Sequence, residues 1–129
     1  MAKQFTLGKS ERLKSRTSIE QLFSEGKKFS VAPFRIHYFL HPPSDNISLL
    51  FGVGVSTRNF KKAVDRNRVK RLSREAWRLQ KLPLQELLAN KNIAMNVFFI
   101  YNGRELPVYE DIYKVVNTII IKLQQLIEA

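Results

Sequence analysis

Residues 34–56 read FRIHYFLHPPSDNISLLFGVGVS, and the periods inside that stretch decide the fold class. Phe34, Ile36, Tyr38 and Leu40 alternate with Arg35, His37, Phe39 and His41. A strand turns successive side chains to opposite faces, so a period of two describes a strand with one buried face. Pro42, Pro43, Ser44, Asp45 and Asn46 are turn formers. From Ile47 to Ser56 nearly every residue is apolar, interrupted by Gly52 and Gly54, as in a second strand. Upstream, the segment Lys28 to Val31 is long enough to add a third strand.

Around this sheet the period changes to that of a helix. Thr17 followed by Glu20 reads as a capping box for a first helix, Gly26 as its stop, and Ile19, Leu22 and Phe23 as its shared face. Residues 1–16 are polar and basic, with Phe5, Leu7 and Leu13 as their large apolar anchors, and are expected as an extended N-terminal arm. Downstream, a helix is predicted from Ala63 to about Leu79, then a shorter helical piece ending near Asn90. Ile93 to Tyr101 is a continuous apolar strand suited to the centre of a sheet, and Asn102 and Gly103 turn the chain. Tyr109, Ile112, Tyr113, Val116, Ile119, Ile120, Leu123, Leu126 and Ile127 recur at steps of three and four, the core stripe of a last helix. The order α-β-β-β-α-β-α predicts one α+β sandwich over residues 1–129, with helices packed on a single sheet.

Composition limits the function. The 129 residues are 44% hydrophobic, enough for a core, yet Lys and Arg number 22 against 11 Asp and Glu, a net charge of +11. Such an excess on one domain repels itself unless a polyanion neutralises it; nucleic acid is the first such partner and an anionic membrane surface the second. With no cysteine, disulfides and thiolate metal sites are excluded. No apolar run approaches the roughly 20 residues that cross a bilayer, and the first residues do not resemble a secretory signal. A cytoplasmic protein is expected.

The charge is concentrated between Arg58 and Lys81, where ten cations face only Asp65 and Glu75. On a helix Arg66, Lys70, Arg74 and Arg78 stack at four-residue steps, and Arg71 widens the stripe. Val64, Leu72, Ala76 and Leu79 are expected to dock on the sheet, with Arg68 at their edge and Trp77 protruding. Like charges at such spacings destabilise a lone helix by a few tenths of a kcal/mol per pair. So one-sided a run points to phosphate rather than to a merely solvated face, and the need of the sheet for the apolar side argues against a membrane. Asn67, between two arginines, can meet a phosphate, base or ribose hydroxyl, or simply solvent. His37 and His41, the two histidines, flank no pair of acids, and no His-Glu-x-x-His or clustered carboxylate set suits a nuclease working by its own side chains.

Ala63-Val64-Asp65-Arg66-Asn67-Arg68-Val69-Lys70-Arg71, followed by Arg74-Glu75 and Trp77, resembles the signature of the bacterial ribonuclease P protein family. Gly52-Val53-Gly54-Val55-Ser56 resembles its glycine-containing strand, Lys9-Ser10-Glu11-Arg12-Leu13 its N-terminal entry, and Phe23 with Gly26 the end of its first helix. Thr57, Ile19 and Asp65 depart from the family pattern, which usually has a basic residue, an aromatic and no acid at those places. The resemblance implies a left-handed β-α-β crossover like that of a ribosomal-protein and translocase domain. It implies removal of the 5′ leader from precursor tRNA by a partner ribonuclease P RNA, which holds Mg²⁺ chiefly itself, with no catalytic or metal-binding residue in the protein. No membrane and no obligate protein partner is expected.

Arg58, Lys62, Arg66, Asn67, Arg68, Lys70, Arg71, Arg74 and Arg78 would then meet RNA, placing it without reading sequence. The leader would lie in a cleft between the first helix and the open sheet face, at Phe23, Arg35, His37, Phe39, Gly54 and Ser56. Phe23 and Phe39 either stack on bases or merely pack, and His37 is an ordinary strand residue unless that cleft exists. A structural RNA-binding protein such as a ribosomal component is the alternative.

Overall fold

The computed structural model describes residues 12–43 and 48–128. Most of the arm, with Phe5 and Leu7, and the turn residues Ser44, Asp45 and Asn46 with Ile47 lie outside the described residues. The elements are α1 (Arg16–Glu25), β1 (Lys27–Val31), β2 (Phe34–His41), β3 (Leu49–Val55), α2 (Ala63–Gln80), α3 (Leu82–Lys91), β4 (Ala94–Tyr101) and α4 (Tyr109–Glu128). This is the predicted single α+β domain, with the short helical piece standing as a helix of its own.

The four strands lie in the order β1-β2-β4-β3. β1 pairs with β2 and β2 with β4 antiparallel, while β3 and β4 run parallel. A parallel pair cannot be joined by a tight turn, and α2 and α3 supply the crossover. The apolar run of β4 is explained by its central place.

One sheet face forms the core. Phe34, Ile36, Phe51, Val97 and Phe99 are buried there against Ile112, Val116, Ile119, Ile120 and Leu123 of α4. Full burial of each such side chain is worth about 1.5–3 kcal/mol, so the final helix is held by its stripe. The α2 contribution differs from the sequence expectation. Val69, Ser73, Ala76 and Trp77 are its buried residues, while Val64 is 69% exposed and Leu79 is exposed as well. The indole of Trp77 stacks on Phe51 (4.5 Å between ring centroids, 12° between planes) and meets Phe99 edge-on. Burying that large ring outweighs the smaller gain from Val64 and Leu79, and Ser73 enters the core by donating its hydroxyl to the Val69 carbonyl (2.8 Å).

The first helix also starts earlier than Thr17. Ser15 is its N-cap, its Oγ accepting the Ser18 N–H at 3.3 Å, so Thr17 and Glu20 lie inside the helix. At the other end Gly26 donates its N–H to the Leu22 carbonyl. A Cβ there would come 2.4 Å from the Leu22 oxygen and 2.7 Å from the Tyr38 oxygen. Close approach of three backbone segments therefore demands glycine.

Candidate nucleic-acid interface

Among the described residues α1 packs on the second sheet face, with the Leu13 backbone beside Gly52 at its edge, and the register shows what lies open. His37 of β2 is opposite Phe98 of β4, which is opposite Gly52 of β3; Arg35, Ile100 and Gly54 form the next row. Phe23 reaches down from α1 onto this face, 4.6 Å from the His37 ring and 5.4 Å from Phe98, edge-on to both. Phe23 remains 43% exposed, so the cluster is an aromatic floor open to solvent rather than core. Gly52 and Gly54 give Phe98 its place: Cβ atoms on them would fall 2.7 Å and 3.2 Å from its ring.

Phe98 was not singled out from the sequence, because an unbroken apolar run conceals which residues face outward. Pairing it with the alternating β2 through the sheet register is the signal that finds it. Phe39 shares the face but lies further along, stacked on His41 (6.1 Å, 21°) rather than on Phe23. The His41 ring nitrogens sit 2.9 Å from the Pro42 oxygen and 3.1 Å from Asn96 Oδ1. Ser56 ends the glycine strand as an anchor, its Oγ accepting the Arg58 N–H at 3.2 Å.

This face is basic. Burial pushes the His37 imidazole below the ordinary histidine range, and the charges of Lys28 and Arg35 push it the same way. At the opposite edge of the sheet, Arg12 bridges to Phe51 and Leu13 donates its N–H to the Phe51 carbonyl at 2.8 Å. The end of the arm therefore runs beside β3. Arg12, Lys14, Gly52, Phe98 and Arg74 line one groove, and Arg12, Arg71, Arg74, Glu75 and Arg78 line the next. A third is formed by Val64, Asp65, Asn67, Arg68 and Arg71. Shared residues make these a continuous path from the aromatic floor onto α2, with Arg12 as the bridge that the sequence expectation omitted.

Along α2 the cations fall into distinct situations. Arg68 and Arg71 are exposed together with Asn67, and Lys70 and Arg74 are half-buried. Arg78 is paired with Glu75 through Nε to Oε2 (3.1 Å) and Nη2 to Oε1 (2.5 Å), and the hydrogen bond from Arg78 lowers the Glu75 carboxyl pKa. Arg66 donates from Nη1 to the carbonyls of Phe60 and Lys61, both at 2.8 Å. Among the described residues, Arg58, Lys61, Lys62, Arg68, Lys70 and Arg71 meet no carboxylate at ion-pair distance. Burial and the charge of the nearby Arg12 both lower the Arg74 pKa, since each disfavours a second positive charge in that groove.

Residues 7–123 match the family model for ribonuclease P. The chain belongs to the ribonuclease P protein family. It is 38% identical over 119 residues to the ribonuclease P protein component of Porphyromonas gingivalis, covering 92% of this chain and 87% of that one. It is 32% identical over 93 residues to the component of Nitrosococcus oceani, covering 72% of each. Among solved structures it resembles the Staphylococcus aureus RNase P protein with a TM-score of 0.64 at 18% identity, over 89% of this chain and 95% of that one. A mutant of that protein with defective mRNA degradation activity gives 0.65 at 17%, over 97% of each chain. These two likenesses show the fold. As a ribonuclease P protein, the chain is a component of an endoribonuclease complex with an RNA partner. The matches support that role and not the ribosomal alternative.

Proposed function

We propose that this ribonuclease P protein grips ribonuclease P RNA with α2 and its preceding loop, and holds the 5′ leader of precursor tRNA on the aromatic floor. Arg68, Lys70, Arg71 and Arg74 with Asn67 meet the catalytic RNA, and Arg12 carries the path from that contact onto the sheet. Phe23, His37 and Phe98 offer ring surfaces to unpaired bases, with Arg35 and Lys28 beside them for phosphates. Base stacking on a ring is worth about 1–3 kcal/mol and tolerates any base, as a component serving many precursors requires.

The observation that carries this proposal is continuity: groove-sharing residues link the unneutralised cations of α2 to an open aromatic face. The chemistry, endonucleolytic hydrolysis at the leader junction, belongs in this account to the RNA and to Mg²⁺ held chiefly by it. The acids of this chain are scattered, and the protein contributes positioning and charge. No described helix is long and apolar enough to cross a membrane; the work would be done in the cytoplasm.

Reconstitution tests it. With bacterial ribonuclease P RNA, the protein should permit rapid precursor cleavage at a few millimolar Mg²⁺, where the RNA alone is slow, and protein alone should cleave nothing. An unchanged Mg²⁺ requirement with protein present would contradict the proposal.

A further inference from the structure

The loop joining β3 to α2 carries three exposed cations, Arg58, Lys61 and Lys62, in five residues. Charges so close repel one another, and Lys62, the N-cap of the helix that follows, provides no side-chain cap. Such a segment needs attachments to hold one shape, and the structure supplies several besides the Ser56 Oγ–Arg58 N–H bond. The Ser56 carbonyl accepts the N–H groups of Asn59 (3.3 Å) and Phe60 (3.2 Å). Asn59 donates its side-chain amide to the carbonyls of Asn102 (3.1 Å) and Gly103 (3.3 Å). Phe60 is buried, 6.1 Å from the Tyr101 ring centroid. Last, Arg66 reaches back from the first turn of α2 and spends both protons of Nη1 on the Phe60 and Lys61 carbonyls.

We propose that Arg66 is a positioning residue. It clamps the loop so that Arg58, Lys61 and Lys62 form a preset phosphate-binding face continuous with Asn67 and Arg68. Its partners are neutral carbonyls, so the clamp orders the loop without cancelling any cation that RNA would need. The family motif thus divides its labour: the first arginine holds protein, and Asn67 and Arg68 stay exposed for the partner. A lysine keeps the charge but lacks the planar fork that reaches two adjacent carbonyls.

This inference rests on the RNA-binding reading above, and its test separates the two. Affinity of the full chain for ribonuclease P RNA is measured against salt for wild type, Arg66→Lys, Asn59→Ala and the Lys61→Ala/Lys62→Ala pair. Losing two ordered contacts should flatten the log–log salt slope by about 1.5 and weaken binding at 100 mM salt about tenfold. Arg66→Lys, although charge is conserved, should reproduce much of that loss, and combining it with the lysine pair should add little. Asn59→Ala, which removes no charge and releases the loop from its far side, should flatten the slope too. This second variant keeps the test decisive if Arg66→Lys folds poorly. Wild-type behaviour of both Arg66→Lys and Asn59→Ala, or effects that simply add to the lysine pair, would overturn the clamp while leaving RNA binding intact. Wild-type binding without salt dependence would instead defeat the RNA-binding reading itself.

Discussion

Gly52→Ala should damage the aromatic floor through Phe98, and only through Phe98. The new Cβ would lie 2.7 Å and 2.8 Å from the ring carbons Cδ2 and Cε2. Carbon atoms rest comfortably at about 3.5–4.0 Å, so the ring must retreat by about 1 Å. Phe23 packs edge-on against it and in turn against His37, so the retreat pushes on the whole cluster. Overpacking of this kind costs about 1–3 kcal/mol. Removing the ring by Phe98→Ala should leave room, and Gly52→Ala in that background should cost close to nothing. The four proteins compared by urea unfolding should therefore show a coupling energy of about 1–3 kcal/mol, the whole cost of the overpacking. Affinity for a leader oligonucleotide should fall in both single variants. A cost for Gly52→Ala that is the same with and without the Phe98 ring would refute this picture of the floor.

Three further outcomes are expected. The depressed pKa of His37 means the unfolded chain takes up the proton first as pH falls. Stability should thus be full above the unfolded value of about 6.5 and decline from there down to the folded value. An RNA phosphate favours the charged imidazole, so leader affinity should rise across the same window; His37→Phe should abolish both effects, as unfolding and binding titrations at pH 5–8 would show. Trp77→Ala should cost about 3–5 kcal/mol in urea unfolding, whereas Val64→Ser should lie within about 0.5 kcal/mol of wild type; the reverse order would restore the helix face expected from sequence. Ser15→Ala should lower stability by about 1 kcal/mol, and thermal melts should show a smaller loss for Thr17→Ala.

Where periodicity was undisturbed, the sequence was a sound guide. The alternation in β2 holds from Phe34 to Tyr38, and Ile112, Val116, Ile119, Ile120, Leu123 and Ile127 of the α4 stripe are buried. Leu40, Tyr113 and Leu126, expected on those faces, are exposed where the sheet and helix run past the core. The misjudged face of α2 has a specific cause: its buried set includes Ser73, which pattern reading treats as polar, and excludes Val64, which it treats as core. Burial of Trp77 favours that phase, and the Ser73 hydroxyl bond to Val69 makes it acceptable. The cationic segment was legible because charge needs no tertiary information. Its organisation was not, since the backbone clamp of Arg66 and the Glu75 pair of Arg78 depend on where carbonyls and carboxylates come to lie. Phe98 and Arg12 likewise join the site only through strand register, which brings residues far apart in sequence onto one surface.

The most direct measurement is the affinity for ribonuclease P RNA between 50 and 200 mM salt, for wild type and for Arg68→Gln/Arg71→Gln. If the exposed face of α2 lies on phosphates, about six contacts should cost wild type roughly 10² to 10³ in affinity across that range. The double variant should show a slope shallower by about 1.5. Equal slopes for the two proteins would mean that these arginines face solvent in the assembled enzyme.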